Sequence, residues 1–261
     1  MIVRPQRHAD GREGWLLIAQ QEHARLAFDL CQGWRPLLEF VDPPGLEAAI
    51  LHHDDGWQGW DAEPGVDPAT GRPRDFLNME LSAVLPMWTA SIDGAARHSP
   101  LAAYVVSGHF SALLEHSKLI EQPANEEAAR AFLADEAKRR SYALQQWLRD
   151  DPVEPGVPAR TPEAADWALA CLQFFDRLSL WLCCGESANA ATIPTPGDGE
   201  LRLNPVTPYE IEVEPWTWEV PQMRLSVAGR WIAARTYRDA ADVLSAREGE
   251  HRLTWTLRPP R

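Results

Sequence analysis

The stretch Ala48-Ala49-Ile50-Leu51-His52-His53-Asp54-Asp55-Gly56-Trp57 carries the densest chemical signal in the chain. An apolar helical turn ends in adjacent His and Asp, and a glycine follows within two residues. Side chains adjacent on a helix point about 100° apart. Two of them therefore meet one ion only near a helix end or in a deep concave site. The glycine predicts a backbone that turns away and leaves room for a ligand. Imidazole and carboxylate together suit iron, manganese, cobalt or zinc better than calcium. A His-Asp pair alone is common, so the reading depends on what the rest of the chain brings to it.

Upstream, Gln20 to Trp34 reads as a helix, with Ala24, Ala27, Leu30 and Cys31 at helical spacing and His23 among them. Met1 to Arg4 and Trp15 to Ala19 are short strand candidates around a polar turn at Asp10-Gly11. Pro43-Pro44-Gly45 breaks the chain before a second helix, Leu46 to Asp55, which Gly56 stops. Residues 57–77 read as a long loop rich in Trp, Pro and Gly, whose large apolar side chains argue for order. Helical sequence resumes from Leu81 to Ala96, with Pro86 as a potential break, then from Leu101 to His116 and over 125–149. A connector marked by Pro152, Pro155, Pro158 and Pro162 leads to a last long helix, Glu163 to Cys184.

Beyond Pro194 the texture changes to β-favouring runs: Tyr209 to Glu214, Gln222 to Val227, Trp231 to Thr236 and Arg252 to Leu257. Ala228-Gly229 reads as a hairpin turn between two of them. The expected fold is mostly α. A helical bundle over 1–190 carries the site, and a β-rich extension over 191–261 packs on it as a small antiparallel sheet that the N-terminal strands are candidates to join.

Asp176 lies within Leu172-Gln173-Phe174-Phe175-Asp176-Arg177-Leu178-Ser179-Leu180-Trp181, otherwise one of the most apolar stretches. An ionised carboxylate there is costly unless a metal or a cation meets it; neighbouring Arg177 is the alternative partner. His109 follows Gly108 and shares a helical face with Leu113 and His116. It reads either as a ligand or proton donor, or as a hydrogen-bonded core residue. Arg72 and Arg74 bracket Pro73, and forked guanidinium groups suit a phosphate or carboxylate unless surface acids such as Asp61, Asp67 or Asp75 hold them. Asp55 and Asp61 are the acids near the doublet that suit a general base, and nothing in the sequence selects between them.

In chain order these elements are a helical His, a His-Asp doublet and a distant helical Asp. That order resembles the HD superfamily of metal-dependent phosphohydrolases, in which separate helices bring such residues to a divalent metal. The resemblance implies His23, His53, Asp54 and Asp176 as the ligands. More closely, the chain is similar to an uncharacterised bacterial family of HD-like proteins. The shared features are Gln20-Gln21-Glu22-His23, the His-Asp-x-Gly-Trp of His53 to Trp57, and the Phe-x-Asp-x-Leu-Ser-Leu of Phe174 to Leu180. The resemblance covers residues 1–190. It implies an HD-like helical bundle and a metal site, and brings no activity with it.

Composition sets the outer limits. At 261 residues the chain suits one large domain, or one domain with an appendage. Twelve tryptophans suit an aromatic core or a lined pocket. A formal charge of −13 argues against nucleic acid and anionic membranes as partners, because such binding needs lysines and arginines. A small anionic substrate stays compatible, since a metal and one or two arginines reverse the local sign. Cys31, Cys171, Cys183 and Cys184 form no CxxC pair and read as buried reduced thiols. Met1-Ile-Val-Arg-Pro opens no signal peptide and no apolar run suits a bilayer span, so a cytoplasmic protein is expected. Signatures of dinucleotide-binding, P-loop and serine-hydrolase folds are missing.

The expected function is a metal-dependent phosphohydrolase acting on a small phosphorylated metabolite or nucleotide. Iron, manganese, cobalt or zinc is the expected cofactor; Arg72 or Arg74 orients the anion, and Asp55 or His109 carries protons. One alternative is a di-iron HD oxygenase, which needs two further histidines, with His109 and His116 as the candidates. The other is a metal- or ligand-binding module without turnover.

Overall fold

A computed structural model describes residues 1–150 and 158–261; Pro152 and Pro155, expected to mark a connector, lie outside the described residues. Strands β1 (Ile2–Pro5) and β2 (Gly14–Ile18) precede helices α1 (Gln20–Cys31), α2 (Pro43–His52) and α3 (Gln58–Ala62). Then come α4 (Leu81–Ala96), α5 (Pro100–Glu115), α6 (Glu126–Arg149) and α7 (Pro162–Cys183). The remainder is β3 (Ala191–Pro194), β4 (Glu200–Thr207), β5 (Glu210–Glu214), β6 (Met223–Ala233), the short α8 (Ala240–Ser245) and β7 (Glu250–Arg258).

Three of the helices begin alike. Asp42, Ser99 and Thr161 accept hydrogen bonds from Gly45 N, Ala102 N and Ala164 N, and a proline occupies the first turn of each following helix. Those side chains satisfy amides that have no partner inside the helix, and proline has no amide to lose there. Pro86 lies inside α4 without ending it. The stretch 57–77, expected to be a loop, contains α3 and a single turn at Phe76–Asn78.

The expectation of a mostly helical bundle with a small antiparallel sheet is overturned. About 50% of the molecule is helical, and about 20% forms one mixed sheet of seven strands. The order is β1-β2-β6-β7-β5-β4-β3, antiparallel throughout except for the parallel pair β5 and β7. Both ends of the chain build it: Gly14 pairs with Ala233 and Leu17 with Arg230. Strand β4 keeps Pro205 inside it because the register shifts between Pro205 and Thr207, a bulge where a missing amide is tolerated.

Nor is Ala228-Gly229 a turn. β6 runs straight through it, pairing with β7 from Met223 to Arg230. A Cβ at Gly229 would lie 2.7 Å from Leu16 Cγ and 2.9 Å from Leu17 O, so the glycine lets β2 approach closely.

α1 packs against α2, α7 and β6, and α7 packs against β3. His23, Ala24, Leu26, Ala27, Leu30 and Cys31 form its buried face. Arg4, itself buried, donates from Nη1 to the carbonyls of Leu182 (2.6 Å) and Cys183 (3.3 Å). It thereby meets the carbonyls left over at the end of α7. Several tryptophans are core residues whose indole N–H finds a partner: Trp218 Nε1 donates to Leu30 O at 2.6 Å and Trp231 Nε1 to Gln6 O at 3.0 Å. Among the described residues, no helix is long and apolar enough to cross a membrane.

Candidate metal centre

Four helices deliver the site. α1 supplies His23, the end of α2 supplies His53 and Asp54, α5 supplies His109, and α7 supplies Asp176. All five side chains are buried. They form two groups whose candidate ligand atoms lie within 4.8 Å of one another: His23, His53 and Asp54, and His53, His109 and Asp176. α2 stops at His52, and the backbone leaves the helical conformation at Asp54 (φ −112°, ψ 18°). The two neighbouring side chains therefore no longer diverge as they would within a helix. Gly56 differs from expectation. Its Cβ would sit 2.0 Å from Met87 O, so the glycine admits α4 rather than opening space for a ligand.

Hydrogen bonds decide which imidazole nitrogens face the centre. Ser179 Oγ donates to the Asp176 carbonyl at 2.9 Å and accepts from His23 Nδ1 at 2.8 Å. His53 Nδ1 lies 2.8 Å from Ile50 O, which can only accept. Both Nδ1 atoms thus carry the proton, and both Nε2 atoms turn to the carboxylates. His23 Nε2 is 2.9 Å from Asp54 Oδ2 and 3.6 Å from Asp176 Oδ1. His53 Nε2 is 3.4 Å from Asp176 Oδ1 and 3.6 Å from Asp54 Oδ2, buried and without a hydrogen-bond partner among the described residues. His109 Nε2 is 4.0 Å from Asp176 Oδ2, and its Nδ1 is likewise unpartnered.

Imidazole nitrogens and carboxylate oxygens converging at such distances repel unless a proton or a metal ion stands between them. Without a metal, protons take that place. Burial opposes a charge on His53, yet Asp54 and Asp176 beside it push its pKa up to about 9. Burial would raise both carboxyl groups, but the imidazoles outweigh it and hold Asp54 and Asp176 below the usual carboxylate range. Burial dominates at His109 and pushes it down. These residues fit a metal ion. His53 has one free nitrogen, so both ligand groups draw on the same atom and describe one centre.

The remaining sequence candidates stand elsewhere. Asp55 holds His52 Nδ1 at 2.8 Å and accepts from Gln21 Nε2 at 3.1 Å. Asp61 accepts from Gln20 N at 2.7 Å, at the start of α1. Arg72 and Arg74 line a separate cavity beside β1 with Asp67 and Asp75, where the Arg72 guanidinium lies 5.8 Å from the Trp15 ring. His116 ends α5 exposed, its Nδ1 on Ala112 O at 2.8 Å. Arg177 is exposed, and the groups facing Asp176 are imidazoles.

A cavity of about 400 Å³ reaches the centre, lined at its floor by His23, Asp54, His109 and Asp176. Gln20, Trp57, Trp88 and Lys118 also line it. Nothing along the chain marks Trp57 or Trp88 as cavity residues, because an apolar residue at helical spacing looks the same against a core or a ligand. His8, Glu248 and His251 form a further group, half-buried and far apart in sequence. Arg12 already neutralises Glu248 there, at 2.9 Å.

The family model described as "Protein of unknown function (DUF3891)" matches residues 1–234. No curated protein and no solved structure matches the chain significantly. With all five clustered side chains and every element except α8 and β7 inside the matched residues, the chain belongs to this DUF3891 family.

Proposed function

We propose that this protein is a metal-dependent phosphohydrolase acting on a small phosphorylated metabolite or nucleotide. His23, His53, Asp54 and Asp176 hold a divalent iron, manganese, cobalt or zinc ion, an assignment their mixed nitrogen and oxygen donors suit. The observation that carries the reading is the convergence of the Nε2 atoms of His23 and His53 on two carboxylates, beside a cavity that His23, Asp54 and Asp176 line. The order of these residues along the chain also resembles that of the HD phosphohydrolases. A bound divalent metal supplies Lewis acidity toward a phosphoryl oxygen and lowers the pKa of water.

The chain's own residues do the rest. Ser179 and the Ile50 carbonyl fix the two imidazoles in one tautomer and orientation, so no rearrangement is needed on loading. His109 lines the cavity next to Asp176 and offers its nitrogen to a substrate proton. The reaction adds water across the ester P–O bond, so the freed alcohol must gain a proton and the attacking water must lose one. Asp55, engaged with His52 and Gln21, steadies the end of α2.

The test is purified protein loaded with Mn²⁺, Co²⁺, Fe²⁺ or Zn²⁺, assayed against phosphomonoesters and nucleotides. Turnover that disappears in His53→Ala and Asp54→Ala, with one metal per chain in the parent, is the expected result. Loaded protein with no turnover across the panel would leave a binding module. Full metal content in Asp54→Ala would remove the centre itself.

A further inference from the structure

We infer that the substrate is a monophosphate ester whose alcohol portion is a compact apolar group, not a nucleoside. This rests on the phosphohydrolase reading and narrows it to a substrate class. Above its polar floor the cavity is walled by Trp57, Trp88, Phe110, Val84, Met79 and Leu180. Lys118 is the one lysine or arginine among the lining residues. Arg72 and Arg74, which would suit further phosphates, face the other cavity. One anionic group is therefore served, by the centre and Lys118, and a polyphosphate is not.

Two unpartnered polar groups sharpen the assignment. Trp57 and Gln20 both line the cavity, with relative exposures of 3% and 2%. Trp57 Nε1, a donor, and Gln20 Oε1, an acceptor, have no hydrogen-bond partner among the described residues. Both atoms are themselves closed to solvent, so a hydrogen bond to a ligand needs the side chain to turn toward the cavity, and each can then meet one group only. A ribose and base carry many more donors and acceptors than these groups can meet. Burying them against tryptophan, phenylalanine and leucine would leave them unpaired, which apolar sites reject strongly. The volume, about 400 Å³, is at the small end of ligand cavities and suits a branched or aromatic body of several carbons.

Hydrolysis-resistant phosphonates test this on the Mn²⁺-loaded full chain by calorimetry. Butylphosphonate and hexylphosphonate are compared with AMP, a phosphate ester whose turnover is monitored during its titration, after a titration with Mn²⁺ alone. At roughly 0.8 kcal/mol per buried methylene, extending butyl to hexyl should tighten binding by about tenfold. AMP should bind at least about tenfold more weakly than hexylphosphonate, because its base and ribose go unpaired. Leu113, 44% exposed at the cavity lining, tolerates charge. Leu113→Glu should weaken hexylphosphonate severalfold and leave Mn²⁺ binding unchanged. Should its melting curve show misfolding, Leu77→Glu, 74% exposed and also lining the cavity, takes its place. Equal affinity for butyl and hexyl, AMP binding as tightly as hexylphosphonate, or no phosphonate binding to Mn²⁺-loaded protein each overturns the substrate class alone. Failure to bind Mn²⁺ or any other divalent metal overturns the phosphohydrolase reading instead.

Discussion

Ser179 stands in the Phe-x-Asp-x-Leu-Ser-Leu motif of α7, but nothing in the sequence assigns it a role. Its hydroxyl gives its proton to the Asp176 carbonyl and receives one from His23 Nδ1, so it sets the nitrogen that His23 turns to the centre. Outer partners of this kind typically contribute 10–100-fold to metal affinity. Ser179→Ala should therefore weaken Mn²⁺ or Zn²⁺ binding by about tenfold or more, and leaving His23 Nδ1 buried and unpaired should cost about 1–3 kcal/mol of stability. Calorimetric titration and thermal melting read the two effects separately; unchanged affinity would mean that the hydroxyl does not orient the ring. The four thiols give an independent check at the same scale. All are free, and burial pushes Cys31 and Cys184 up to about 12. At pH 8 a thiol of that pKa is ionised only to the order of one part in ten thousand. Folded protein should react with a disulfide reagent over hours and urea-unfolded protein within minutes. A thiol titrating rapidly in the folded state would contradict the burial.

Among the elements, the long helices were largely legible because their apolar residues recur every three or four positions; α2, α5 and α7 also open with an Asp, Ser or Thr cap and a proline. The clustered residues of the candidate centre were legible for a related reason. Buried His and Asp stand out against apolar helical surroundings. The sheet was not, because its partners are remote: Gly14 meets Ala233, and no local rule links the two. β3 and β4 lay outside the expected β-favouring runs, and the edge position of β3 and the bulge of β4 accommodate their prolines. The same holds for the cavity wall, whose tryptophans share their periodicity with the core. Gly229 separates the two readings experimentally. As a hairpin turn it would tolerate replacement; in a continuous strand an added Cβ meets Leu17 O at 2.9 Å. Gly229→Ala should cost about 1–3 kcal/mol by overpacking. Gly249→Ala, with nothing within 4 Å of the added carbon, should stay within about 0.5 kcal/mol. Urea denaturation of the two variants measures the difference, and equal midpoints would refute the continuous strand.

Across the whole molecule, the candidate centre is where α1, α2, α5 and α7 meet, and its imidazoles hold both carboxylates charged within reach of one cation. A cation that binds the native centre and not the unfolded chain stabilises the protein through mass action. At a hundred times Kd the gain is about 2.7 kcal/mol. For a chain of this size each kcal/mol moves the melting midpoint by about 2–4 °C. Saturating Mn²⁺ or Zn²⁺ should thus raise Tm by about 5–10 °C, and a chelator should reverse it. Asp54→Asn keeps the shape while removing one carboxylate charge. Its metal-free form should melt below the metal-free parent, because His23 and His53 lose the charge they hold there, and added metal should no longer shift it by more than about 1 °C. Removing a carboxylate that merely held the helices together would lower Tm as well but leave the metal-dependent shift intact. The pair of measurements therefore separates a binding centre from a structural ion-pair cluster, without any assumption about the substrate.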